Sequence, residues 1–244
     1  MTSSLRDLKV YTTYPHRCSY LEGEEATTLF IDPRQSVDQT LYSNLSMLGF
    51  RRSGNHIYRP HCSHCNACIP ARIPVEDFQP NRNQRRCLKR NSDLEVEMRR
   101  DIVGDDESYE LYDRYIRQRH ADGDMFPPDR DQFESFLNDP WGCTEYLQFR
   151  VEGRLVAVAV VDVMIDGLSA IYTFYDPDED ARGLGRYAIL WQIQRCRSEG
   201  LPFVYLGYWI RNCRKMAYKA DYQPLEVLVN NQWQRGIDGL VETF

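Results

Sequence analysis

The feature that narrows the fold most lies between residues 144 and 229. Three strand-like runs, Thr144 to Val151, Leu155 to Ile165 and Leu168 to Tyr175, are separated by the turn pairs Glu152-Gly153 and Asp166-Gly167. Two-residue turns of this kind join antiparallel neighbours. A long helix is predicted from Gly185 to about Glu199, then a short strand Phe203 to Leu206, a short helix Cys213 to Ala220 and a last strand Leu225 to Val229. The fold class that follows is α+β, a mixed and mostly antiparallel sheet flanked by helices.

Three antiparallel strands, a helix entered through a glycine loop, then strand, helix and strand is the element order of a GNAT-like acyltransferase domain, expected over residues 101–244. The loop at the helix entry, Tyr175 to Arg186, carries Gly183 and Gly185 between Arg182 and Arg186. Glycine lets backbone approach a ligand, and free N–H groups at a helix start favour an anion. The same pattern also serves as a plain loop with a helix cap. Four acids, Asp176, Asp178, Glu179 and Asp180, would repel a polyphosphate unless Arg182 and Arg186 offset them, and suit a protonated amine better.

The preceding hundred residues read as a smaller α/β domain, 1–100, of short strands with a helix from Asp38 to Leu48 and a hairpin from Phe50 to Arg59 turning at Gly54-Asn55. It leads into His61-Cys62-Ser63-His64-Cys65-Asn66-Ala67-Cys68. Thiols at two-residue spacing either converge on zinc or an iron-sulfur centre, with Cys18 as the candidate fourth ligand beside Cys62, Cys65 and Cys68, or simply pack as reduced thiols. The start of the chain has no signal-peptide stretch and no apolar run is long enough for a bilayer, so the expected compartment is the cytoplasm, where eight cysteines stay reduced.

A net charge of −6 argues against a protein that coats nucleic acid indiscriminately, and neither DNA nor a membrane is expected among its partners. Distribution matters more. Between Arg82 and Arg100 there are seven Lys or Arg against three acids, a face able to hold a phosphate backbone or to remain a solvated helix surface. From Asp105 to His120 a helix is predicted, with Tyr109, Leu111, Tyr112, Tyr115 and Ile116 on its apolar stripe.

The run from Tyr205 through Tyr208, Lys215, Tyr218 and Lys219 to Glu226 resembles the signature of the arginyl-tRNA-protein transferase family. Two further stretches are similar, Tyr172 to Pro177 running into Leu184-Gly185, and Phe78 to Arg90, and with the cysteines the resemblance spans nearly the whole chain. The compact length is similar to the bacterial branch that uses leucine. The resemblance implies a soluble aminoacyltransferase taking leucine from leucyl-tRNA to the N-terminal amine of proteins that begin with Asp or Glu, and so marking them for degradation in the N-degron pathway. It also implies a cysteine-bearing N-terminal domain associated with iron-sulfur or zinc. Where eukaryotic relatives place a second cysteine three residues after the first, this chain has Leu21, which cannot ligate.

Aminoacyl transfer to an amine uses an ester that is already activated, so no cofactor is required for the chemistry and positioning is the main task. Candidate proton acceptors are Asp176, Tyr208 and Tyr218. Selection of an acidic N-terminus needs a cation, for which Arg82, Arg85, Arg86, Lys215 and Lys219 are the candidates, while Gly183, Gly185 and Arg186 are candidates for holding the tRNA end. Competing possibilities are arginine as donor, an acyl-CoA-dependent N-acyltransferase, and a metal-ribbon module that recruits a partner without catalysis.

Overall fold

The computed structural model describes residues 8–123, 125–138 and 141–237. The first elements are short: β1 Val10–Thr12, β2 His16–Arg17, β3 Glu25–Ala26 and β4 Thr28–Ile31. Helix α1, Gln39–Met47, starts where the Asp38 carboxylate accepts the Leu41 N–H. The hairpin follows as β5 Arg51–Ser53 and β6 His56–Pro60, and β1, β4, β6 and β5 form one small sheet. Its turn requires glycine: Gly54 has φ +56°, and a Cβ there would lie 2.4 Å from the Ser135 carbonyl oxygen.

Next come β7 Ile69–Pro74, α2 Arg82–Arg90 and β8 Glu95–Arg99, then helices α3 Asp106–Arg119 and α4 Arg130–Leu137. The predicted meander follows as β9 Thr144–Val151, β10 Arg154–Met164 and β11 Gly167–Tyr175. Helix α5 spans Leu184–Glu199, β12 Phe203–Trp209, α6 Arg214–Ala217, and β13 Glu226–Val229 with β14 Gln232–Arg235 completes the series.

These strands form an eight-stranded mixed sheet in the order β14-β13-β7-β12-β11-β10-β9-β8. The antiparallel meander, the crossover through α5 and a parallel β12 make the C-terminal part GNAT-like, as its element order implies. Two strands from before residue 100, β7 and β8, are built into this same sheet, so it straddles the division expected there. Long-range pairing of this sort leaves no local trace in sequence.

Strand β10 is covered on both faces, which explains its nearly unbroken apolar run. Ala157, Ala159 and Val161 face the core shared with α5, whereas Val158 and Val160 face the one shared with α3 and α4. A third cluster joins β4, α1 and β6 to Met164 and Tyr205 of the large sheet. Among the described residues no helix is long and apolar enough to cross a membrane.

The joint between the small sheet and the large one is a buried ion pair. Arg52 Nε and Nη2 donate to Asp162 Oδ2 and Oδ1 at 2.7 and 2.8 Å, and both side chains are fully buried. Tyr42 and Thr144 hydroxyls add bonds to the same carboxylate at 2.7 and 2.6 Å. Burial alone would raise the Asp162 pKa, but the Arg52 charge and the three donors more than offset it, and the group sits below its ordinary value. Asp162→Ala leaves a buried guanidinium unpaired and is expected to cost about 3–5 kcal/mol of stability, measured by denaturant unfolding. Because the folded pKa is depressed, this contribution is present above the unfolded carboxyl pKa of about 3.9 and is lost as pH falls through the folded value, a loss absent from the variant.

Candidate active site

Strands β11 and β12 are paired only from Gly167–Phe203 to Ser169–Tyr205, after which they diverge and open a wedge. On the β12 side the backbone bulges between Tyr205 and Gly207, where Gly207 has φ +75°. The side chain of Arg51 lies against that glycine: a Cβ there would be 3.0 Å from its Nε and 3.2 Å from its Cζ. Arg51 Nη1 donates to Ser169 Oγ at 2.6 Å and Nη2 donates to the Ala170 carbonyl. A half-buried guanidinium therefore occupies the root of the wedge.

The segment after β12 supplies one wall. Lys219 is 5% exposed; its Nζ donates to the Tyr208 carbonyl and lies 3.0 Å from Met216 Sδ. Burial first, and the Arg51 charge second, lower its pKa to about 7. Tyr218 keeps an exposed ring, yet burial raises the pKa of its hydroxyl while the Arg51 charge acts to lower it. Tyr208 is spent elsewhere: buried, it donates to the Gly49 carbonyl at 2.9 Å, a structural bond from β12 to the turn between α1 and β5 that takes it out of the proton acceptors.

Aromatic groups from α3 and β11 form the other wall. Tyr115 packs at 4.9 Å from the Tyr175 ring and 6.5 Å from that of Tyr172, whose hydroxyl donates to Met125 Sδ at 3.5 Å. His120, the residue that ends α3, brings Nε2 within 3.1 Å of the Tyr115 hydroxyl. Its pKa is lowered by burial first and by Lys215 and Arg119, with Asp122 opposing, so the imidazole is neutral near pH 7. Exposed Lys215 reaches across to Asp122 at 3.5 Å, which places it at the mouth of the wedge. Arg51, Tyr115 and His120 were not among the sequence candidates. An Arg-Arg pair in a hairpin and a histidine closing a helix carry no signal until the chain is folded.

The loop into α5 also departs from expectation. Asp176 is 2% exposed, paired with Arg114 at 3.1 Å and Arg154 at 2.8 Å, and it accepts the Asp178 N–H. It clamps the turn and is not a free base. Glu179 pairs with Arg154 and Arg182, and Asp180 with Arg119, so three of the four rim acids are neutralised. Arg182 is held bidentately by Asp93 at 2.9 Å for both bonds, which removes it as a pyrophosphate ligand. Gly183 is left-handed at φ +66° and begins α5; a Cβ on Gly185 would touch Tyr175 Cε1 at 3.5 Å, and Arg186 is exposed.

Helix α2 docks beside this loop. Its Asn81–Gln84 capping box is closed by reciprocal bonds, and Gln84 Nε2 reaches the Asp221 carbonyl at 3.1 Å while Asn91 Nδ2 reaches that of Arg182 at 2.9 Å. The outward face carries Arg82, Arg85, Arg86 and Lys89, all exposed and none paired with a carboxylate among the described residues. These arginines lie outside the wedge, on its flank.

Cys18, Cys62, Cys65 and Cys68 line one cleft of about 550 Å³ between the small sheet and β13. The Cys18 sulfur accepts the N–H groups of Tyr20 and Leu21 at 3.4 and 3.5 Å, so Leu21 supports a thiol that it cannot join as a ligand. Burial, and then Cys18, Cys62 and Cys65, push the Cys68 thiol up to about 12. The donor set has the right chemistry for zinc or iron-sulfur, but among the described residues no three His, Cys, Asp or Glu side chains are placed to hold a metal ion. No catalytic step is routed through this cluster.

The model of the arginine-tRNA-protein transferase C terminus matches residues 107–229, and that of its N terminus matches residues 16–86. The chain is 61% identical over 233 residues to the aspartate/glutamate leucyltransferase of Pseudomonas aeruginosa, covering 95% of this chain and 98% of that protein. It is 58% identical over 231 residues to the protein of the same name from Pseudomonas entomophila, covering 95% and 98%. Among solved structures, L-PGS from Bacillus licheniformis overlaps with a TM-score of 0.47 at 12% identity, covering 70% of this chain and 49% of that one, a likeness too slight to decide anything. Matched in both its halves, and by relatives along nearly its full length, the chain belongs to the arginine-tRNA-protein transferase family.

Proposed function

We propose that the protein is an aspartate/glutamate leucyltransferase, moving leucine from leucyl-tRNA to the N-terminal α-amine of proteins that begin with Asp or Glu. The observation that carries this is the 61% identity to leucyltransferases over 95% of the chain. The wedge gives the chemistry a place. Charged tRNA and the protein substrates meet in the cytoplasm, the compartment we assign, and the added leucine marks the product for degradation.

In the reaction the neutral amine attacks the ester carbonyl of the leucyl group, a C–N bond forms, and the C–O bond to the terminal ribose breaks. The amine loses a proton and the ribose oxygen gains one. Positioning the two substrates in one cleft supplies up to roughly 7–11 kcal/mol in well-oriented cases. A neutral imidazole beside a phenol at the wedge mouth suits proton transfer, so we assign His120, with the Tyr115 hydroxyl, to receive the amine's proton. The wall of Tyr115, Tyr172, Tyr175 and Met125 suits an apolar leucine side chain. No cofactor enters these steps. A zinc or iron-sulfur centre would need Cys18, Cys62, Cys65 and Cys68 to draw closer than they lie here, and would then organise the N-terminal part.

Purified protein given leucyl- or arginyl-tRNA and peptides differing only in the first residue should transfer leucine to Asp and Glu peptides and not to Ala peptides. Arginine transfer would move the chain to another donor class, and acyl-CoA binding without an effect of charged tRNA would favour an N-acyltransferase.

His120→Gln should lower kcat by about 10²–10⁴-fold. Activity falls with pH first as the substrate's α-amine, pKa about 7.7–8.0, is protonated, and more steeply as pH drops through the lowered His120 pKa, below the ordinary ~6.5, because the protonated ring accepts nothing; the variant should keep the first fall and lose the second.

Removing Arg82, Arg85 and Arg86 together by Ala substitution should weaken leucyl-tRNA binding and reduce the slope of log affinity against log salt by up to about one per lost phosphate contact, read by filter binding at several ionic strengths. An unchanged slope would detach α2 from the tRNA.

A further inference from the structure

Cations drawn into this protein are matched with carboxylates: Arg52 with Asp162, Arg72 with Glu226, Arg195 with Glu145 and Glu199, Arg182 with Asp93 and Glu179. Half-buried Arg59 is met instead by the Leu48 carbonyl and the Phe50 ring, and Arg51 and Lys219 depart from the pattern together, side by side. Arg51 meets only the Ser169 hydroxyl and the Ala170 carbonyl, and Lys219 only the Tyr208 carbonyl and the Met216 sulfur; among the described residues neither has a carboxylate partner. The phenols in the field of Arg51, Tyr58, Tyr208 and Tyr218, are kept protonated by burial and bring no compensating charge.

Arg51 is permanently charged, and beside it Lys219, with its pKa brought down to about 7, holds its proton only part of the time at neutral pH; an anion arriving from outside would match Arg51 and draw a proton onto Lys219. A guanidinium has five N–H donors in a planar fork, and Arg51 commits two of them. Gly207 lets that fork lie against β12, where a side chain would displace it. What remains is a preorganised half-site for a bidentate oxyanion, at the inner end of the cleft proposed to hold the reacting amine.

Resting on the transferase reading above, we propose that Arg51 is the specificity residue that binds the side-chain carboxylate of the acceptor's N-terminal Asp or Glu, with Lys219 taking up a proton to add a second positive charge as the carboxylate arrives. The first residue of a chain can enter a closed cleft end-on, and its carboxylate lies within one residue's reach of its own α-amine. A nucleic-acid phosphate, carried on a backbone that continues in both directions, is better met by the exposed cations of α2. Asp and Glu differ by one methylene, a difference that a fork flanked by an ammonium can absorb. The discrimination against Asn and Gln comes from charge, since a neutral amide leaves the Arg51 guanidinium unmatched.

Calorimetric titration of the full chain with short peptides beginning with Asp or Asn, in the absence of tRNA, reads this recognition apart from transfer. The native chain should bind the Asp peptide at least about thirtyfold more tightly than the Asn peptide, and Arg51→Gln should bring the ratio close to one. Arg51→Lys, which keeps the charge and guards against loss of folding, should retain part of the preference. Leucyl-tRNA affinity should be the same in all three proteins. A native chain without the preference, or a preference that survives Arg51→Gln, overturns the proposal; so does loss of leucyl-tRNA affinity in Arg51→Gln with the peptide ratio intact, the mark of a phosphate contact. A native chain that prefers the Asp peptide but transfers no leucine refutes the donor assignment while leaving the role of Arg51 supported.

Discussion

The pairing of Arg52 with Asp162 is the contact on which the rest of the structure depends, because it fixes the small sheet against the large one at a single register. Two charges fully removed from water hold together only with good geometry and with their remaining bonding capacity satisfied. Here two arginine nitrogens and two hydroxyls converge on one carboxylate, and Arg52 also donates to Thr144 Oγ1 at 2.8 Å. Because several partners are involved, a slipped docking of β5 would leave more than one buried group unsatisfied. Apolar packing of α1 and β6 against Met164 and Tyr205 adds adhesion but much less specificity of position.

That register determines where Arg51 lies. Successive residues of a strand point to opposite faces, so anchoring Arg52 sends Arg51 the other way. The two arginines straddle one rung of the large sheet: Asp162 on β10 is the direct partner of Ser169 on β11, and these are the residues that Arg52 and Arg51 bind. Ser169 is also the last residue of β11 paired with β12. The buried ion pair thus places a second, unmatched cation at the point where the strands part. Structural anchor and candidate receptor are adjacent residues with opposite requirements, one wanting its carboxylate inside the protein and the other wanting it to arrive.

Much of the sheet was legible in the sequence because its information is local. Turn pairs at Glu152-Gly153 and Asp166-Gly167, the Asp38 cap of α1 and the apolar runs each report on their own neighbourhood. The entry of β7 and β8 into the large sheet was not, since a pairing such as Trp209 with Ile69 spans most of the chain. The site divides in the same way. Lys219 and Tyr218 sit in the segment that resembles a family signature and do reach the wedge. Asp176 and Tyr208 lie in comparable segments but are consumed by distant partners, Arg114, Arg154 and Gly49, that spacing cannot reveal. Whether a polar side chain is reactive depends on which of its bonds are already made, and that is a property of the folded chain.

Charge bookkeeping along the chain would have pointed the wrong way for the same reason. A net charge of −6 and an acidic loop at the mouth of the cleft suggest a surface hostile to RNA. In the folded protein Asp176, Glu179 and Asp180 are each bound to arginine, and Arg114, Arg119, Arg154 and Arg182 leave the loop with little free negative charge. Cations without a carboxylate partner among the described residues, including Arg82, Arg85, Arg86 and Lys89 outside and Arg51 with Lys219 inside, then shape the local field. Beyond a Debye length of about 8–10 Å the remaining negative charge is screened, so a polyanion close to α2 responds chiefly to α2. An acidic chain can in this way hold RNA on one flank and still repel it elsewhere, which favours binding in one orientation over coating of the whole surface.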